Sequence, residues 1–163
     1  MNVLFFISAA IAVISTLLVI TRLNAVHALL YMIISLLSVA FIFFLLGAPF
    51  IAALEVIVYA GAIMVLFVFV IMMLNLGPQS VDQERQWIDL RSWPGIVVMA
   101  AILLGELIYS FRIGSGPAVN IVHFSPQQVS ITLFGPYLLG VELASILLLA
   151  GLVGAFHLGR NLK

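Results

Sequence analysis

The sequence predicts an all-α integral membrane protein with five transmembrane helices. Hydrophobic residues make up 65% of the 163 residues and charged residues only 7%, whereas about 25% of the residues in an ordinary soluble protein are charged. Five apolar stretches are each long enough to cross a hydrocarbon core of ~30 Å as a helix. The length leaves no room for a separate globular domain, so residues 1–163 are predicted to form a single membrane domain.

The first two helices are predicted at about residues 2–20 and 25–46. The first is expected to be retained, because it lacks the basic segment and small-residue cleavage site of a signal peptide. Asn24 is a suitable N-cap for the second. His27, Tyr31, Ser35 and Ser38 recur in the second helix at spacings of four, four and three. They form one polar stripe, which we expect to face protein.

The third helix is predicted at about residues 51–75, after a turn that contains Pro49. It holds one charged residue, Glu55, and Tyr59 follows four positions later, so the two are expected to share a helix face. A charge facing lipid costs roughly 2.5 to 3.5 kcal/mol. We therefore expect both side chains to meet protein. The small residues at 60–62 would let another helix approach closely.

The fourth and fifth helices are predicted at about residues 94–111 and 136–158. Residues 77–93 form the charged loop before the fourth helix, and Trp87 and Trp93 are expected at the membrane interface. Residues 112–135 are predicted to be a loop with a short amphipathic element near 126–131.

The distribution of basic residues predicts the orientation of the chain. With five spans, the basic residues on one side of the membrane are Arg22, Arg85, Arg91, Arg160 and Lys163. The other side receives Arg112 alone. Because Lys and Arg are enriched in cytoplasmic loops, the amino terminus is predicted outside, in the periplasm, and the carboxyl terminus in the cytoplasm.

Three carboxylates lie inside predicted helices: Glu55, Glu106 and Glu142. Intramembrane carboxylates commonly mark proton or ion paths. Alternatively, Glu55 and Glu142 lie near helix N-termini, where the helix dipole favours a negative charge for structural reasons alone. Glu106 approaches the C-terminal end of its helix, where the helix dipole disfavours a negative charge, so its carboxylate needs a compensating partner. The nearest hydroxyls in sequence are on Tyr109 and Ser110, and a contact particular to this chain or a snorkelling side chain is favoured over a general mechanism.

Other chemistry is not supported on this chain. The sequence contains no cysteine, which excludes iron–sulfur ligation, c-type haem attachment and thiol catalysis. His27, His123 and His157 have no metal-ligand spacing, and no nucleotide-binding motif occurs. The formal net charge is zero, so nucleic acid is not an expected partner. No catalytic residue, cofactor or metal is therefore predicted here.

Three segments together resemble a known family. They are NAVHALLYMIISLL at 24–37, EVIVYAGAIMVLFVFVIMML at 55–74 and FGPYLLGVELASILLLAGLVGAFHLG at 134–159. The chain is similar to the subunit J family of bacterial NADH:quinone oxidoreductase, respiratory complex I, also called the chain-6 family. The VYAGAI core is the most specific part, since its ordered mix of Tyr, Gly and Ala rarely recurs by chance.

The resemblance implies a multi-pass subunit of the bacterial inner membrane, without an active site of its own, in a proton-translocating enzyme. It implies membrane subunits H, A, K and N as partners, and FMN, iron–sulfur clusters and quinone on other subunits. It also implies a π-bulge near residues 59–67, whose rotation opens and closes a water path. The resulting proton-path or gating candidates are Glu55, Tyr59, Gly61, Val65, Phe67 and Glu142.

Two alternatives stay open. The first is a subunit of a multisubunit sodium/proton antiporter, which would function without a redox partner. The second is a purely structural membrane-arm subunit, in which every carboxylate makes a packing contact. In either case, polar groups inside the spans need partner helices, so the chain is expected to work within a larger complex.

Overall fold

The structure is a computed structural model that describes residues 2–22, 25–74, 93–113 and 124–160. The described residues are almost entirely helical. Five of their helices are long and apolar enough to cross a membrane: Val3–Thr21, Ala25–Leu45, Pro49–Met73, Trp93–Arg112 and Leu138–Arg160. The predicted all-α fold class and the five predicted spans are therefore confirmed by helix length and composition. Helices suit these sequences because a helix satisfies its own backbone hydrogen bonds in lipid.

The first unit of the chain, residues 1–123, contains four of these helices. Helix α1 is Asn2–Thr21 and α2 is Ala25–Leu45. Helix α3 covers residues 49–74 and is composite, and α4 is Trp93–Ile113. Helix α2 is central, because α1, α3 and α4 all pack against it. Tyr31 and Ile34 of α2 pack with Ile11 of α1 and Ile96 of α4 in one hydrophobic cluster.

The second unit, residues 124–163, contains two helices. Helix α5 is Pro126–Phe134 and α6 is Leu138–Arg160. Ser125 caps α5: its hydroxyl accepts a hydrogen bond from the backbone N–H of Gln128, and the Gln128 side chain accepts one from the Ser125 N–H. This capping box confirms the short element predicted near 126–131 and extends it by one turn.

Several predicted boundaries were wrong by a few residues. The third helix begins at Pro49, because proline fits the first turn of a helix, where its missing N–H is not needed. Gly47, with φ of 83°, makes the turn before it. Arg112, placed in a loop by the sequence, lies in the last turn of α4, where a cation favours the dipole. The last helix begins at Leu138 and continues to Arg160.

Other predictions lie outside the described residues. They are the Asn24 cap, most of the charged loop with Trp87, and His123. The orientation of the termini and the single membrane domain stay predictions.

Candidate functional site in the third helix

The distinctive feature of α3 is a π-helical segment, Glu55–Ile63, between α-helical Pro49–Leu54 and Met64–Leu74. At its end, the backbone N–H of Met64 donates to the carbonyl of Tyr59, five residues earlier. A π-helical turn inside an α-helix often accompanies a functional site. The π-bulge expected near residues 59–67 overlaps this segment, which begins and ends earlier than expected. Val65 and Phe67 lie in the α-helical part that follows.

Gly61 has a specific place in this geometry. A Cβ atom added to Gly61 would lie 3.1 Å from the carbonyl oxygen of Val56, which is five residues earlier. The two residues are one π-helical turn apart, so the tight spacing is a property of the π-helical backbone. Glycine at this position therefore removes a crowded contact that any other residue would add.

One side of α3 packs against α2, while much of the rest is uncovered in the first unit. Ala52 and Met64 are buried. Tyr59, Val65 and Phe67 are 50%, 62% and 49% exposed. Glu55 is partly buried, and neither it nor Tyr59 forms a hydrogen bond with another described residue. In a membrane, the polar groups of this uncovered face need water or side chains from outside this unit.

An apolar cleft adjoins the π-helical segment. Its volume is 560 Å³ and its walls come from α2, α3 and α4. Ala52, Ala53 and Val56 line it from α3, opposite Phe41 of α2 and Leu103 of α4. The start of the π-helical segment therefore borders space that side chains of the same chain leave open.

The polar stripe of α2 faces protein, as predicted. His27, Tyr31, Ser35 and Ser38 are 4%, 1%, 8% and 0% exposed. Ser35 Oγ lies 2.8 Å from Thr16 Oγ1 and donates to the carbonyl of Ala12. Arg22 lies over the ring of Tyr31, with 5.5 Å between the guanidinium carbon and the ring centroid. The stripe thus joins α1 to α2.

Glu106 is buried against α1, which the sequence did not predict. Its Oε2 accepts a hydrogen bond of 2.8 Å from the hydroxyl of Ser8. The predicted partners were wrong: the hydroxyls of Tyr109 and Ser110 do not bond to Glu106, because the side chain points across the bundle to α1. A contact within this chain, rather than snorkelling, satisfies one oxygen of the carboxylate. The one sequence signal for Ser8 is its seven-residue spacing from Ser15, which places both on one face of α1.

Glu142 and the glycines of α6 are exposed in the second unit. No atom approaches within 4 Å of a Cβ added to Gly140, Gly151 or Gly154. These glycines therefore have no close-packing partner among the described residues of this unit. A face of this kind in a membrane helix is suited to a neighbouring chain.

Comparison with known proteins then decides the family. The family model described as NADH-ubiquinone/plastoquinone oxidoreductase chain 6 matches residues 15–158. The chain belongs to this family. The match covers the π-helical segment, all of α2, and α6 up to residue 158.

Individual members of the chain-6 family align over almost the whole chain. A protein named NADH-quinone oxidoreductase subunit J from Escherichia coli strain K12 is 56% identical over 99% of this chain and 88% of its own length. One of the same name from Pseudomonas aeruginosa is 57% identical over 99% and 98%. One from Buchnera aphidicola of Schizaphis graminum is 50% identical over the full length of both chains. This chain-6 protein is accordingly a multi-pass membrane protein.

The part of this chain-6 protein that the structure describes has no evident metal centre. In residues 2–22, 25–74, 93–113 and 124–160, no three His, Asp or Glu side chains come close enough to hold a metal ion. The candidate site is therefore one of helix geometry and isolated polar groups.

Proposed function

We propose that the chain is a membrane subunit of a proton-translocating NADH:quinone oxidoreductase in the bacterial inner membrane. The observation that carries this proposal is the set of relatives named NADH-quinone oxidoreductase subunit J, which are 50% to 57% identical over 88% to 100% of their own lengths. Five spans with uncovered polar groups on α3 and α6 fit a subunit that is completed by its neighbours.

The rest of the enzyme supplies the redox chemistry. FMN, iron–sulfur clusters and quinone belong to other subunits, and this chain has no active site of its own. Its neighbours are the membrane subunits H, A, K and N. The amino terminus is in the periplasm and the carboxyl terminus in the cytoplasm. The support for this orientation is the excess of Lys and Arg on one side of the five spans.

Within the complex, α3 is the element that gates proton access by changing its helical register. A π-helical segment holds an extra residue relative to an α-helix. Releasing that residue shifts the register of everything that follows by one position, a rotation of about 100° with a translation of ~1.5 Å. Val65 and Phe67, just beyond the segment, would turn by that angle, while the start of α3 stays in place.

The packing of α3 is compatible with such a switch. Met64 is 4% exposed and is the first buried side chain after the π-helical segment. After a one-residue shift, an adjacent residue would take the place of Met64 against α2. Both adjacent residues, Ile63 and Val65, are apolar. The cleft beside Val56 gives the start of the segment room to repack. Both registers therefore place hydrophobic side chains against α2.

The polar candidates have separate roles in this scheme. Tyr59 lies within the switching segment, and its hydroxyl would meet or leave a water path as the segment turns. Glu55 and Glu142 carry carboxylates that face neighbouring subunits and hold protons. Glu55 is only partly buried and Glu142 is exposed within its own unit, which fits such partners.

The test is Gly61→Val in the assembled complex. A Cβ added to Gly61 would by itself lie 3.1 Å from the Val56 carbonyl oxygen, and valine adds two methyl groups beyond that Cβ. The π-helical register becomes too crowded, so α3 is locked in the α-helical register. We expect at least a severalfold loss of protons pumped per NADH in inverted membrane vesicles. NADH oxidation with a water-soluble electron acceptor should stay unchanged, because it uses the hydrophilic part of the enzyme.

Gly105→Val is the matched control, because a Cβ at Gly105 in α4 has no neighbouring atom within 4 Å. Normal pumping in the Gly61 variant would refute the gating role. Membership of the enzyme is tested separately: the tagged chain should copurify with flavin and iron–sulfur proteins. Copurification with antiporter subunits alone would support the antiporter alternative instead.

A further inference from the structure

A buried acid lies apart from the candidate site, where α1 meets α4. Glu106 of α4 is 5% exposed and Ser8 of α1 is fully buried. The Ser8 hydroxyl donates to Glu106 Oε2 at 2.8 Å. The other carboxylate oxygen, Oε1, is buried and has no hydrogen-bond partner among the described residues. One carboxylate oxygen is thus satisfied and the other is not.

Among the described residues, the helices packed around Glu106 provide no cation. Helix α4 packs against α1 and α2, and neither contains Lys, Arg, Asp or Glu. The titratable groups on α2 are His27 and Tyr31, and the Tyr31 hydroxyl lies beside Gly95, about three turns along α4 from Glu106. On α4 itself, Tyr109 is exposed and Arg112 is six residues away, on another face. An ionised Glu106 would therefore be a buried charge with one hydrogen bond, an arrangement that proteins avoid by neutralising the group.

Ser8 also bonds differently from most hydroxyls of the described helices, because, like Ser35, it donates to another helix. Five of them donate to the carbonyl four residues earlier: Ser15, Thr16, Thr21, Ser38 and Thr132. This is the usual local bond of a helical Ser or Thr. For Ser8 the equivalent acceptor is the carbonyl of Leu4, yet its hydroxyl donates to Glu106 instead. Ser8 is therefore used to bind Glu106 instead of its own helix.

We propose that Ser8 and Glu106 form a proton-binding site within this chain. Glu106 takes one proton from hydronium on Oε1, the oxygen without a partner, forming an O–H bond, releasing water and losing its negative charge. Ser8 keeps donating to Oε2, which becomes the carbonyl oxygen of the neutral acid. The site does not depend on the gating role of α3.

The experiment is infrared spectroscopy of membranes that hold the assembled complex at neutral pH, in H₂O and in D₂O. Subtracting the spectrum of Glu106→Gln from that of the unaltered complex isolates the carboxyl group of Glu106. We expect the C=O stretching band of a protonated carboxylic acid, with a downshift in D₂O. Ser8→Ala removes one hydrogen bond to that acid, so its band should move to higher frequency.

Ser15→Ala is the matched control, since Ser15 is equally buried on α1 but bonds to its own helix. It should leave the band in place. The proposal is overturned if the difference spectrum contains the two carboxylate stretching bands in place of the acid band. If Glu106→Gln does not assemble, the Ser8→Ala spectrum decides alone: a shifted acid band supports the site, and shifted carboxylate bands refute it.

Discussion

Gly95→Ala would test how tightly α4 is seated against α2. A Cβ at Gly95 would lie 2.6 Å from the Tyr31 hydroxyl oxygen and 3.8 Å from the ring carbon that bears it. Favourable contacts between heavy atoms begin near 3.5 Å, so the tyrosine ring or α4 must move by roughly 0.9 Å, the difference between 3.5 and 2.6 Å. Tyr31 is 1% exposed, which leaves its ring little room.

The magnitude follows from two opposing effects. Overpacking of a buried site costs about 1 to 3 kcal/mol. Replacing glycine by alanine inside a helix gains about 0.8 to 1.0 kcal/mol. Gly105→Ala in the same helix has the gain without the clash, because nothing lies within 4 Å of its added Cβ. The difference between the two variants is therefore the cost of the clash, about 1 to 3 kcal/mol.

The assay is the fraction of complex that stays assembled after membranes are heated through a series of temperatures. Gly95→Ala should dissociate at a lower temperature than Gly105→Ala. Adding Tyr31→Phe should restore the heat resistance of Gly95→Ala, because the nearest atom would then be the ring carbon at 3.8 Å. The double variant thus measures the coupling of the two sites directly. If Gly95→Ala loses as much stability in the Tyr31→Phe background as with the native tyrosine, the clash with the hydroxyl is not the cause.

Two further predictions concern hydrogen bonds. Ser35→Ala removes the 2.8 Å contact with Thr16 and the bond to the Ala12 carbonyl. It should lower the free energy that stabilises the folded chain by about 0.5 to 1.5 kcal/mol, so that the complex dissociates at a lower temperature. Ser38→Ala, which loses a bond within α2 alone, should have a smaller effect. Ser125→Ala breaks the capping box of α5 at a cost of about 1 kcal/mol, so hydrogen exchange should accelerate in the first turn of α5 but not in α6. Equal effects of the two serine variants of α2, or unchanged exchange in α5, would contradict these assignments.

Much of the architecture follows from local sequence. Inside lipid every backbone group must be satisfied within its own helix, so the length of each apolar stretch is enough to predict a span. The four-residue spacing from His27 to Tyr31 to Ser35 predicts a stripe that must be buried, and the structure confirms it. The Ser125 and Gln128 pair also acts locally, so the short helix α5 could be predicted.

The register of α3 could not be read in this way. An apolar helix with one glycine has the same composition in α-helical and π-helical form, and Gly61 only weakly favours a departure from α geometry. The bounds Glu55–Ile63 are seen only in the structure, where the segment packs along α2. For this reason the expected bulge at residues 59–67 and the observed segment overlap without coinciding.

The sequence by itself determined the five spans, their polar stripe and the apolar character of the surface, because these depend on hydropathy and on the period of a helix. Only the tertiary structure decided that Ser8 meets Glu106, 98 residues away, and that Gly95 lies against Tyr31. Such pairs depend on which helices become neighbours and at what height they cross. Local propensity is the same for every such arrangement, so it cannot choose among them.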